Sequence, residues 1–260
     1  MIGAGYFFGV VCKQISQAYN LMFSSSGGEL LNLLLWFLLA LYVVTVTAGL
    51  AAALLRPMWI AITAFALSGL AMPLGWQLTI GSGILSLVYL LAGVLYVSAV
   101  TKKLNQQIEF SVQPVAKSQG LLRMALVLIA CGSLYLGCAA HIEQEGFSIP
   151  EPYLKIASDQ IEERIIKPKV PEWQYQEAAA GFREEFKHAV DNFSENTIKP
   201  YERFIPLAIV AVLFTPLITI VSLLAWIPAM LLRIIFPLLK ISGITKIVSE
   251  TKEVQRLTID

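Results

Sequence analysis

Charge is what this 260-residue sequence has least of: only 14% of its residues are Asp, Glu, Lys or Arg, where a soluble domain carries about 25%. With 57% hydrophobic residues and a mean hydropathy of +0.69, that shortage excludes an ordinary water-soluble globular protein. Cysteine is scarce too. Cys12, Cys131 and Cys138 are too few and too scattered for a disulfide framework or a zinc site. On a helix, Cys131 and Cys138 would stand about 10 Å apart along the axis, beyond bonding range. The two histidines, His141 and His188, supply no pair to hold haem between spans, and no span carries the His that an intramembrane serine protease needs. P-loop, G-x-G-x-x-G, H-E-x-x-H and G-x-S-x-G patterns are all missing. The expectation is a non-enzyme with no catalytic residue, cofactor or metal.

The few charges present are unevenly placed. Residues 143–203 hold 21 of the 37, 13 acidic and 8 basic, for a net −5; the other 199 residues hold 5 acidic and 11 basic, for a net +6. That balance offers no clustered basic footprint for nucleic acid.

Charge-free stretches cover residues 30–55, 57–101, 124–140 and 204–232. A bilayer core of about 30 Å takes about 20 apolar helical residues, because lipid offers no partner to an unpaired backbone group. The 45-residue stretch is too long for one crossing and is broken at Pro73-Leu74-Gly75, with Trp76 next to it as an interface residue. Five spans are therefore predicted, over 30–55, 58–74, 78–100, 121–140 and 204–227, the fourth resting on the shortest charge-free stretch. Pro228 then opens an in-plane amphipathic helix with Arg233 and Lys240 on one face, a sixth tilted span being the alternative. Residues 244–260 add a short helix in the tail.

Arg56, the connector basics Lys102, Lys103, Lys117 and Arg123, and the C-terminal Arg233, Lys240, Lys246, Lys252 and Arg256 fall on one side of a five-span chain. The positive-inside rule makes that side cytoplasmic, and leaves the N-terminus and the charged window outside. At the N-terminus, Phe7, Val10, Val11, Ile15, Ala18 and Met22 recur at helical spacing, which predicts an amphipathic helix on the outer interface, ended by Ser24 to Gly28. The exterior window reads as a helical hairpin, one helix over 150–166 and a second opening at Pro171-Glu172, with Pro168 and Pro200 bracketing it.

On that second helix Tyr175, Phe182, Phe186 and Phe193 belong to a continuous apolar stripe, the candidate partner-binding surface. Within the spans Thr45, Thr47, Ser82, Ser86 and Tyr89 are a candidate polar path for a solute, against the plainer reading as helix-packing hydrogen bonders. Small residues at Gly49 to Ala53 and at Gly81, Gly83 and Gly93 suit close packing within the chain, or homo-oligomerisation as the second reading. Residues 128–133 look like a lipoprotein cleavage box, but three spans precede it, so Cys131 and Cys138 are read as packing residues. His141 with Glu143 and Glu145, and the acidic pairs Glu162-Glu163 and Glu184-Glu185, are read as solvated polar boundaries.

The fold expected is an all-α integral membrane protein: an amphipathic N-terminal interfacial segment (1–28), a four-span bundle (29–142), an extracytoplasmic helical hairpin (143–203), a fifth span (204–227), and an in-plane helix with a cytoplasmic tail (228–260). The function expected is a multi-pass subunit or scaffold of the plasma or inner membrane that contacts the bilayer and binds a protein partner through its hairpin. The alternative is a channel, transporter or secretion-machine component for a neutral or apolar solute.

Overall fold

The computed structural model describes residues 1–19, 27–55, 57–106, 112–146, 151–161 and 175–243. Arg56, the pair Glu162-Glu163, the Pro171-Glu172 helix start and the expected tail helix over 244–260 lie outside these residues. The described chain is all-helical: α1 (Ile2–Ser16), α2 (Gly27–Leu54), α3 (Met58–Gly75), α4 (Ile80–Asn105), α5 (Gln113–Glu145), α6 (Glu151–Ile161), α7 (Tyr175–Phe193), a π-helical turn (Ser194–Ile198), a 3-10 turn (Lys199–Phe204), α8 (Ile205–Leu223) and α9 (Trp226–Ile241). Five helical stretches are long and apolar enough to cross a membrane: α2, α3, α4, α5 and the run containing α8. They coincide with the five spans predicted. The fourth is the longest single α-helix, at 33 residues, because it continues through the polar Gln113 to Gly120 segment ahead of its apolar core.

The outer faces confirm the solvent these helices suit. Leu31, Leu35 and Leu39 on α2, Leu67, Leu70 and Leu74 on α3, and Ile84, Leu87, Leu91 and Leu95 on α4 are all exposed at helical spacing. Such ridges are stable against acyl chains and would be a large unsatisfied patch in water. This is the build of a multi-pass membrane protein. The central helix is α5, which packs on α1, α2, α4 and α8. Just over half (56%) of its most apolar stretch is buried, against 6% for the last apolar stretch, which leans on α5 from outside the bundle.

The N-terminal helix is where the fold departs from expectation. Instead of lying on an outer interface, α1 stands inside the bundle, packed along α3 and also touching α2 and α5. Phe8, Val11, Cys12 and Ile15 are buried while Lys13 and Gln14 face out, so the expected amphipathic wheel is present but its apolar side meets helices, not lipid headgroups. The physical reason is backbone proximity. A Cβ on Gly5 would overlap the Ser68 carbonyl, one on Gly9 the Met72 carbonyl, and one on Gly75 the Tyr6 carbonyl. Gly5 and Gly9, four apart, form the small-xxx-small face that lets two membrane helices touch backbone to backbone. The pairing Gly5 with Ser68 and Gly9 with Met72 makes α1 parallel to α3. Trp76, expected at an interface, is buried and donates its Nε1 hydrogen to Ser16 Oγ at 3.3 Å.

The Pro73 cluster ends α3 as expected, the proline falling in the last turn. Thr79 and Ser82 then start α4 with reciprocal bonds: Ser82 N donates to Thr79 Oγ1 at 3.2 Å and Thr79 N to Ser82 Oγ at 3.1 Å. Past α8, the Leu224-Ala225 turn leads into α9, which has Pro228 in its first turn and buries Pro228, Leu232 and Phe236 at i, i+4, i+8. That stripe rests on α2 and α5, with Leu232 seated over Gly49.

Candidate functional site

Local sequence dictates the stripe on α7. Between Tyr175 and Phe193 apolar residues recur at three- and four-residue steps among Arg183, Glu184, Glu185, Lys187 and Asp191, so one face of the helix is apolar and the other charged. Tyr175 opens the helix. Phe182 and Phe186 are half-buried and stack on one another with ring centroids 5.8 Å apart. Phe193, a further two turns on, is 55% exposed.

The cover over this stripe is slight. The 11-residue α6 lies antiparallel to α7, and an ion pair, Arg183 Nη2 to Asp159 Oδ1 at 3.8 Å, links the two, both side chains more than half exposed. An exposed pair of that kind contributes at most about 1 kcal/mol. A cavity of about 570 Å³ opens between the helices beside Leu154, Ser158, Arg183 and Phe186. α6 therefore lies beside the Arg183 to Lys187 part of the stripe, and Phe193 stays exposed.

Pro200 does not end α7. The helix tightens and loosens through the π turn and the 3-10 turn and continues into α8, so the stripe sits on a nearly unbroken helical rod rooted in the bundle. Pro200 falls in the first turn of the 3-10 segment, where the winding changes from π to 3-10.

The five hydroxyls of the candidate path are not joined to one another. Thr45 Oγ1 donates to Leu41 O at 2.6 Å and Thr47 Oγ1 to Val43 O at 2.8 Å, each back onto its own helix. Ser82 is engaged in the α4 cap. Tyr89 OH meets Ser68 Oγ at 3.1 Å, and Ser86 Oγ is buried without a partner. Thr45 lies level with Gln119 near the start of α5, whereas α4 around Ser82 and Leu85 faces Leu136 and Gly132 near its end. The glycines likewise act one by one as sockets: Gly49 for Leu232, Gly81 for Leu136 and Gly93 for Phe65.

Three further polar groups take long-range partners that the sequence alone does not indicate. Ser68 joins three helices, bonded to Tyr89 OH and donating to Met1 O at 3.1 Å. Gln119 is fully buried and donates from Nε2 to Thr45 O at 3.2 Å. Arg123, expected in a connector, stands inside α5 and donates from Nη1 to Ala225 O at 3.0 Å. Gly5-x-x-x-Gly9 was a visible signal for the first of these contacts. For Gln119 and Arg123, each just ahead of an apolar run, only the extra length of α5 shows that they face helices.

The histidine and cysteine readings resolve simply. His141 packs its ring on Tyr19 at 4.1 Å between centroids, and among the described residues no three His, Cys, Asp or Glu side chains gather as a metal site. Cys12, Cys131 and Cys138 are buried free thiols. Compared with known protein families, characterised proteins and solved structures, the chain matches none.

Proposed function

We propose that this chain is a non-enzymatic, multi-pass membrane subunit that binds a partner protein along the stripe of α7. The observation that carries this reading is the bare end of the stripe: Phe193, with the half-covered Phe182 and Phe186, on a rod continuous with α8. Each phenylalanine buried against a partner is worth about 1.5–3 kcal/mol, enough for three of them to anchor an interface. The rod would transmit that attachment rigidly to the bundle. The solute-path alternative draws no comparable support, since four of its five hydroxyls are engaged elsewhere.

Orientation follows from the charges. Lys102, Lys103, Lys117, Arg233 and Lys240 belong to the end of the bundle opposite α7, and the positive-inside rule makes that end cytoplasmic. α6 and α7 are then extracytoplasmic and α9 is cytoplasmic, at a plasma or inner membrane. The Ile2 end of α1, parallel to α3, points toward the cytoplasmic half, in place of the outside position expected for an interfacial helix.

Native co-purification tests the proposal. Phe193→Asp alone, and Phe186→Asp with Phe193→Asp, should abolish recovery of the partner that accompanies the wild-type chain while membrane insertion is unchanged. Undiminished recovery by both variants would sink the reading.

A further inference from the structure

We propose that Arg123 and the Tyr42 hydroxyl bind the phosphate of an anionic phospholipid headgroup at the joint between α8 and α9. Arg123 lies six residues past Lys117 on α5, about 9 Å further along the helix axis. There its guanidinium meets the carbonyl end of α8 and donates to Ala225 O. That contact uses one of five donors. The only carboxylates on the helices around it, Glu29 of α2 and Glu143 and Glu145 of α5, belong to the opposite ends of those helices, and α8 and α9 carry none. Among the described residues no carboxylate pairs with this half-buried guanidinium, and leaving such a charge without an anion in apolar surroundings is costly; the bilayer supplies one within side-chain reach.

Tyr42 completes the geometry from α2. Its hydroxyl is buried with no hydrogen-bond partner among the described residues, and Tyr42 stands one turn before Thr45, whose carbonyl accepts from Gln119, itself one turn before Arg123 on α5. A guanidinium fork with a neighbouring O–H donor matches a phosphodiester's two free oxygens. The source is a lipid and not free phosphate because the surrounding surface is apolar: Leu223 and Trp226, flanking the joint, are 72% and 60% exposed, a path for acyl chains. The headgroup is anionic because the same end carries Lys102, Lys103, Lys117, Arg233 and Lys240, a field that disfavours a headgroup's own cation.

The test uses the full chain purified in zwitterionic micelles, titrated with phosphatidylglycerol, phosphatidylcholine or inorganic phosphate and read by native mass spectrometry. The expected result is one saturable phosphatidylglycerol site that weakens about tenfold in Arg123→Gln and about threefold in Tyr42→Phe, and is unchanged in Arg233→Gln. Phosphatidylcholine binding as tightly as phosphatidylglycerol, inorganic phosphate occupying the site by itself, or Arg123→Gln binding like wild type would each overturn the proposal. If Arg123→Gln does not fold, Tyr42→Phe decides, because it leaves the Arg123 to Ala225 bond intact; an unchanged affinity there overturns it equally.

Discussion

Gly9 and Gly3 sit on the same short helix and differ only in what surrounds them. A side chain on Gly9 would collide with the backbone of α3, while one on Gly3 would meet nothing within 4 Å. Gly9→Leu should therefore destabilise the folded bundle by about 3 kcal/mol through overpacking, and Gly3→Leu should change it by less than about 0.5 kcal/mol. Equilibrium unfolding in mixed micelles measures both; equal losses would mean that α1 is not held by contact with α3. Ser68 and Tyr89 offer a subtler check at the same scale. A double-mutant cycle of Ser68→Ala and Tyr89→Phe should return a coupling of about 0.6 kcal/mol, the usual size of a hydrogen bond between membrane helices. These residues also mark where sequence reading stopped. The wheel of α1 was legible in Val11 and Ile15, but whether its apolar side faces headgroups or helices depends on Gly75 and Ser68, some 60 positions away. Lys13, Gln14 and Gln17 are compatible with either surrounding, since one edge of α1 remains exposed.

Between Tyr175 and Leu223 four helical segments follow one another without a gap. Spin labels at Gly181→Cys and Leu207→Cys should show a narrow distance distribution centred near about 40 Å, the rise of 26 helical residues. A broad distribution at shorter distances would show a hinge at Ser194–Phe204 and separate the stripe mechanically from the span. Pro200 was the misleading signal here: as a helix breaker it marked a boundary, yet the chain passes it by changing from π to 3-10 winding and stays helical. The opposite held at the other end of α8. Pro228 marked the start of α9 correctly, since the chain there turns at Leu224-Ala225 before the new helix begins. α9 is fixed by Leu232 above Gly49. Leu232→Ala should expose α9 to limited proteolysis while α2 to α5 stay protected; unchanged cleavage would mean that the socket does not hold it.

At the level of the whole molecule, charge distribution and apolar run length carried most of the topology. The four apolar stretches marked the spans to within a few residues, and only α5 was much underestimated, because Gln113 to Gly120 continues the helix without being apolar. The same polar start conceals Gln119 and Arg123, whose partners, Thr45 and Ala225, are distant in sequence. The aromatic stripe of α7 was visible from its periodicity, but its partial cover by α6 depends on a pairing of Asp159 with Arg183 that spacing does not specify.

What unites these features is a bundle with a stripe-bearing rod at one end and a basic rim at the other. Labelling with a membrane-impermeant thiol reagent tests that arrangement most directly, using Asp191→Cys on the exposed face of α7 and Ser242→Cys just past α9, since both positions are exposed and the three native thiols are buried. In sealed cells Asp191→Cys should label at once and Ser242→Cys only after permeabilisation. Both positions labelling from the same side would contradict an odd number of crossings, and with it the account of α7 as an exterior docking rod.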